Sequence, residues 1–294
     1  MPIIDYKNVL KGLQVHEAMR RQLICLPPTA PLEQAIRFTL KYKVNAILLT
    51  GEAQEGLGVV SKTDLMGAYY AGLPLDTPCQ TVMMGPPQFC RAQDSLDTAL
   101  DAMRAAQIHR LYVSGESPRQ ARGVLAYPDI VGLLYRYCNK CERSLRGNSG
   151  AQGALPDHFQ VRECMTPTIS AFQESHSLQT VMEGLAAYRF GAVLITTADG
   201  QPAGVVSKTD LIMAYKHGRE ASAPARTIMS APVKACDGEA PLVDALKTMI
   251  FGDVQRLFVF KGSPQNLMGV LSLSDVARFR SGTCRACLAS RIKL

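Results

Sequence analysis

Apolar positions along the chain follow two alternating rhythms. Leu32, Ala35, Ile36 and Leu40 are spaced three to four residues apart and predict one face of a helix, with Pro31 suited to its first turn. Two short apolar runs come next, Ala46-Ile47-Leu48-Leu49 and Leu57-Gly58-Val59-Val60, with the length and bounds of buried strands. The helical stripe returns as Leu96, Ala99, Leu100 and Met103, as Leu178, Val181, Met182 and Leu185, and as Leu242, Ala245, Leu246 and Met249. Methionine at helical spacing is far more often packing than a functional box, so these stripes predict core. Within each half an apolar-Met-small-Pro turn leads to a short strand, an amphipathic helix, two strands and a second helix.

The units are copies. Gly58-Val59-Val60-Ser61-Lys62-Thr63-Asp64-Leu65 recurs letter for letter as Gly204 to Leu211, 146 residues later. At the same offset Met19 falls on Met165, Cys90 on Cys236, Arg110-Leu111 on Arg256-Leu257, and Asp129 on Asp275, without a gap. The glycine-rich polar stretch from Arg146 to Gly153 marks the join. We therefore expect a first half over 1–148, with repeats at about 15–70 and 79–137, and a second over 149–294, with repeats at about 161–216 and 225–280. Each half is long enough for a buried core of its own.

Composition narrows the class. Hydrophobic residues at 47% and charged residues at 19% are ordinary for a folded globular chain. No apolar run approaches the ~20 residues that span a bilayer, and Met1 to Lys7 lacks the apolar core of a signal peptide, which predicts a cytoplasmic protein without membrane contact. The net charge of +7 is spread along the chain, densest near Arg143 and Arg146 and in the last ten residues. A mild excess of this kind suits small phosphorylated ligands or a solvated face, and nucleic acid is disfavoured because no reading motif accompanies it. Nine cysteines, an odd number without a secretion signal, predict reduced thiols. Cys90 and Cys236 are expected on strands as small buried hydrophobes.

These residues resemble the CBS (cystathionine beta-synthase) domain family, whose unit is strand-helix-strand-strand-helix and ends in Gly-apolar-apolar-Ser/Thr-x-x-Asp. Cys164-Met165-Thr166-Pro167 is similar to its opening turn, and Ile108 to Val113 to its second strand. The resemblance covers nearly the whole chain and implies an α/β (α+β) fold of four CBS repeats, each a small sheet with two helices, arranged as two pseudo-twofold pairs joined through their sheets. It also implies a regulatory protein that performs no catalysis, binding AMP, ADP, ATP or S-adenosylmethionine in clefts between paired repeats. Its output would pass to a separate effector protein, and it would form a homo-oligomer.

The family's Asp holds ribose and its Ser/Thr hydroxyl lies near phosphate. Those roles carry over to Ser61 and Asp64, Ser207 and Asp210, and Ser272 and Asp275. In the second repeat Asp129 keeps the carboxylate, but Ala126 has replaced the hydroxyl. His109, Arg110 and Arg256 occupy the strand start that the family turns toward phosphates, a task that suits the guanidinium fork. Lys62 and Lys208 are weaker candidates. From the residues alone, Ser-x-x-Asp before an apolar run is equally a helix capping box, and the two roles are compatible. Arg110 and Arg256 read equally well as surface cations paired with carboxylates, and His109 as a core histidine.

Cys138-x-x-Cys141 and Cys284-x-x-Cys287 are two dithiols in the duplicated register. Together they supply the four thiolates of a zinc site or an iron-sulfur cluster. A redox pair, or inherited sequence without function, is the alternative. No phosphate loop, H-E-x-x-H or G-x-S-x-G is present.

Overall fold

The computed structural model describes residues 12–133, 135 and 160–279. A short helix α1 (Val15–Ala18) leads into the first repeat: β1 (Cys25–Leu26), α2 (Leu32–Lys41), β2 (Ala46–Thr50), β3 (Gly56–Ser61) and α3 (Lys62–Tyr70). The second repeat follows as β4 (Phe89–Cys90), α4 (Leu96–Ala105), β5 (Arg110–Ser114), β6 (Ala121–Ala126) and a helix α5 over 127–133. The third is β7 (Ala171–Gln173), α6 (Leu178–Ala187), β8 (Ala192–Thr196), β9 (Pro202–Ser207) and α7 (Lys208–Lys216). The fourth is β10 (Ala235–Asp237), α8 (Leu242–Phe251), β11 (Arg256–Lys261), β12 (Ser263–Ser272) and α9 (Leu273–Phe279). Each repeat forms a three-stranded sheet in chain order, its first two strands parallel and its last two antiparallel. The parallel step requires a crossover, and the amphipathic helix supplies it.

The predicted helical stripes are the core. Leu96, Ala99, Leu100 and Met103, with their counterparts in α6 and α8, are all buried. In α2 the buried set is Leu32, Ala35, Ile36 and Thr39. Leu40 is only half-buried there, and Pro31 sits at the N-cap, one residue ahead of the first turn.

Two kinds of packing join the repeats. Within the first half, Leu48, Tyr112 and Val124 meet between the sheets of repeats one and two, flanked by Val59 and Phe89. Between the halves, helices meet. One core unites repeats one and three, with Ile36, Leu65 and Met66 against Val181, Leu211 and Ile212. A second unites repeats two and four, with Leu100, Met103 and Ile130 against Leu246, Met249 and Val276. The core is therefore not divided by halves, as length alone led us to expect. Each sheet carries its helices on one face, and the other half's helices cover that face.

The two halves face each other about an internal twofold that preserves the offset of 146. Tyr69 and Tyr215 stack at 5.1 Å and 14°. The Tyr69 hydroxyl donates to the Arg219 carbonyl at 2.7 Å, and the Tyr215 hydroxyl to the Leu73 carbonyl. Lys43, Gln107, Arg189 and Asp253 follow the four crossover helices in left-handed conformation, with φ of 51°, 53°, 52° and 52°. This is a post-helix position that favours glycine. All four are spent on diagonal contacts: Lys43 pairs with Asp253, and Arg189 donates to Gln107.

Candidate functional site

The Gly-x-x-Ser-x-x-Asp segments run from the last strand of each repeat into its second helix. Ser61 caps α3, its hydroxyl oxygen accepting from the Thr63 and Asp64 amides at 3.2 and 3.4 Å. Asp64 reaches back, and its Oδ2 accepts from the Ser61 amide and hydroxyl, both at 2.7 Å. The same box closes at Ser207 with Asp210 and at Ser272 with Asp275. In the second repeat only the backbone half survives, the Ala126 amide donating to Asp129 Oδ2 at 2.9 Å. The capping reading is thus realised. It uses one oxygen of each carboxylate and fixes where the other points.

What faces that other oxygen comes from the paired repeat. The turn after each repeat's methionine lies antiparallel against the partner's last strand: Arg20 on Val124, Met84 on Val59, Thr166 on Val270, and Ser230 on Val205. The motif glycine permits this approach. A Cβ on Gly58 would lie 2.7 Å from Met83 Sδ and 3.1 Å from the Met84 carbonyl oxygen, and one on Gly269 2.7 Å from the Thr166 carbonyl oxygen. The four carboxylates consequently differ. Asp210 Oδ1 accepts from Ser230 at 3.2 Å, and Asp275 Oδ1 from Thr166 at 3.5 Å. Asp129 Oδ1 pairs with Arg20 Nε at 2.6 Å. The equivalent turn residue in the Asp64 cleft is Met84, whose side chain offers no hydrogen-bond donor.

Cations gather where the four repeats meet. Arg110, at the start of β5, donates through Nη1 to the Ala46 carbonyl of the paired repeat at 3.2 Å. Arg256, at the equivalent point of β11, lies against Gly191, whose Cβ would fall 2.2 Å from a guanidinium nitrogen. Neither is a surface cation held by a carboxylate. Burial pushes Arg110 below its ordinary range and Arg256 down to about 10. Lys62 and Lys208 cross the internal twofold, Lys62 Nζ donating to Thr209 Oγ1 and Lys208 Nζ to Thr63 Oγ1, both at 2.8 Å. Burial, reinforced by Arg110, holds Lys62 at about 8. Each lysine stands at the first position of its helix, beside the first turn of the other half's helix. His109 is exposed, its ring edge-on to Tyr127 at 5.5 Å, and is not a core histidine.

Sequence reasoning named the four carboxylates and both arginines, and the structure places them at the clefts and the junction; it did not name Arg20, Met84 or Ser230, nor the contact that Thr166 makes. The signal was available in part, since Arg20 and Thr166 stand at the duplication offset, one residue past the matched methionines. Cys90 and Cys236 lie on β4 and β10, as expected. They are half-buried, and burial raises both thiols to about 11. Cys138, Cys141, Cys284 and Cys287 lie outside the described residues. Among the described residues no cluster of three or more His, Cys, Asp or Glu could hold a metal, and no helix is long and apolar enough to cross a membrane.

Four strand-helix-strand-strand-helix repeats, whose clefts each join a capped carboxylate to a partner's turn, define a tandem-repeat α/β scaffold. The family model for the CBS domain matches residues 15–71, 161–217 and 225–282, together more than half of the chain. The chain belongs to the CBS domain family. The repeat without a match is the second, where Ala126 replaces the serine.

Among solved structures, protein MJ1225 of Methanocaldococcus jannaschii, described as a proposed archaeal homologue of g-AMPK, is 12% identical with a TM-score of 0.75, over 91% of this chain and 99% of its own. An uncharacterized conserved protein of Pyrococcus horikoshii is 17% identical with a TM-score of 0.59, over 91% and 100%. The CBS domain protein PAE2072 of Pyrobaculum aerophilum, complexed with AMP, is 25% identical with a TM-score of 0.38, over 40% and 90%. The first two share the fold of nearly the whole chain. No curated protein matches.

Proposed function

We propose that the chain is a regulatory sensor that binds an adenine nucleotide in the clefts of Asp64, Asp210 and Asp275, performs no catalysis, and signals to a separate effector protein. The observation that carries this reading is the division of labour in the carboxylate. Oδ2 is locked by the capping box, so Oδ1 is held at the cleft with no cation on it, oriented to accept ribose hydroxyls. The serine cap and the helix start beside it suit a phosphate, and Arg110, Arg256, Lys62 and Lys208 supply positive charge at the junction. A ligand that bridges the capped helix of one repeat and the turn of its partner favours one packing of the pair, and a sensor needs that differential contact.

The test is thermal unfolding with AMP, ADP, ATP and S-adenosylmethionine in turn. A ligand at 100 times its dissociation constant adds about 2.7 kcal/mol, an easily measured rise in melting temperature. Asp64→Ala, Asp210→Ala and Asp275→Ala should each remove one site, while Asp129→Ala should leave the count unchanged. Four ligands without effect at millimolar concentration would sink the proposal.

We propose as a second reading a thiolate metal site formed by Cys138, Cys141, Cys284 and Cys287. It is favoured because α5 and α9, the helices that precede the two pairs, contribute Ile130, Val131, Val276 and Ala277 to one core. Four thiolates suit zinc, and a coloured preparation would point to iron. Metal analysis after anaerobic purification decides it, and a metal-free protein removes this reading without touching the first.

A further inference from the structure

The four clefts share one carboxylate geometry, but only one carboxylate bears a guanidinium. Asp129 Oδ1 is held by Arg20 Nε at 2.6 Å, where the equivalent residue of the other half is Thr166 and the remaining two turns present Met84 and Ser230. The opening turn of the first repeat departs from the rest of the chain: Met19-Arg20-Arg21-Gln22 stands where Met165-Thr166-Pro167 and Met229-Ser230-Ala231-Pro232 stand elsewhere. Arg20 is anchored for this contact. Its amide and carbonyl both pair with Val124 at 2.9 Å, and its side chain then spans the cleft.

The Asp129 side chain is only 9% exposed, whereas that of Arg20 is 45% exposed. A carboxylate so enclosed needs a charged or strongly hydrogen-bonding partner, and two neutral ribose hydroxyls do not replace a guanidinium in direct contact. The guanidinium also fills the space that the hydroxyls would take. Beside Arg20 lies a cavity of about 210 Å³ lined by Arg20, Arg21, Gln22, Ile24, Tyr42 and Val44, and Asp129 is not part of its wall.

We propose that Arg20 is the residue that closes the Asp129 cleft to ribose, so that the chain takes nucleotide at three clefts at most, and that removing its guanidinium opens a fourth. The proposal rests on the nucleotide reading above, and it assigns the silence of this cleft to Arg20 as well as to the missing hydroxyl at Ala126. The structure gives a natural substitution. Arg20→Thr installs the residue that the second half carries, and the backbone pairing with Val124 is independent of the side chain. Arg20→Met, after Met84, keeps an apolar stem of similar length should the threonine variant fold poorly.

Equilibrium dialysis of the full-length protein against saturating AMP counts the sites. The wild type is expected to bind a whole number of AMP per chain that Asp129→Ala does not lower. Arg20→Thr or Arg20→Met should bind one more, and adding Asp129→Ala to either should abolish the gain. An unchanged count in both variants overturns the proposal and leaves the nucleotide reading standing, and so does a count lowered by Asp129→Ala in the wild type. Loss of AMP from the Arg20 variants also overturns it, because the guanidinium would then hold ligand. AMP bound by the variants and not by the wild type upholds the role of Arg20 and sinks the three-cleft reading. Binding by neither sinks both.

Discussion

Lys62 begins α3 with its ammonium directed across the internal twofold at Thr209, within the field of Arg110 and Arg256. Burial first, then Arg110, lowers it from an ordinary 10.5 to about 8, against the opposing pull of Asp210. The unfolded chain keeps this proton to about pH 10.5 and the folded chain only to about 8, so in that window the unfolded state holds more protons and stability rises with pH. A phosphate-bearing ligand next to Lys62 favours the ammonium and reverses the shift. Nucleotide binding at pH 8 should therefore take up roughly half a proton. Titration calorimetry in two buffers of different ionisation enthalpy measures it, and Lys62→Met should reduce it. Identical heats in both buffers would place the phosphates elsewhere.

At the scale of elements, the glycine that precedes each Ser-x-x-Asp is fixed by its partner's turn. Gly269→Ala sets a Cβ 2.7 Å from the Thr166 carbonyl oxygen and 2.8 Å from Met165 Sδ; the methionine side chain can swing aside, but the backbone carbonyl cannot. We expect a loss of about 1–3 kcal/mol in urea denaturation. Gly67 is the control, being exposed within α3 with nothing within 4 Å of an added Cβ. Gly67→Ala should gain up to ~1 kcal/mol. Wild-type stability in the Gly269 variant would show that the turn moves aside at little cost. The helices and strands were legible because Leu96, Ala99, Leu100 and Met103 encode a local period, and the carboxylates because duplication repeats them. The partners of those carboxylates were not, since Arg20 meets Asp129 through the packing of two sheets and no local spacing relates them. Nor was the use of Lys43 or Asp253 at a position suited to glycine, which has its reason in a contact 210 residues away.

Because repeat one shares its core with repeat three, and repeat two with repeat four, half of the chain is not a self-contained unit. A first half of residues 1–148 on its own would expose the faces of α2, α3 and α4 that α6, α7 and α8 now cover, a large apolar surface that seeks a partner. The best available partner is a second copy. Around the internal twofold residue 69 meets residue 215 and residue 73 stands opposite residue 219, so a copy of the first half offers Tyr69 where Tyr215 stood, the Leu73 carbonyl for that of Arg219, and Lys62 with Thr63 for Lys208 with Thr209. A surface that is its own complement closes as a twofold dimer. The replacement is imperfect, since Lys43 would face Gln107 in place of Asp253, and Asn45 would lose its 3.1 Å bond to Gln255. We therefore predict that the isolated first half sediments as a dimer, and that adding the second half converts it to the mixed pair, which regains both contacts. A first half that stays folded and monomeric at micromolar concentration would show that the sheet contacts of Leu48, Tyr112 and Val124 suffice alone. Homodimers that survive the second half unchanged would mean that the diagonal bonds add nothing to the choice of partner.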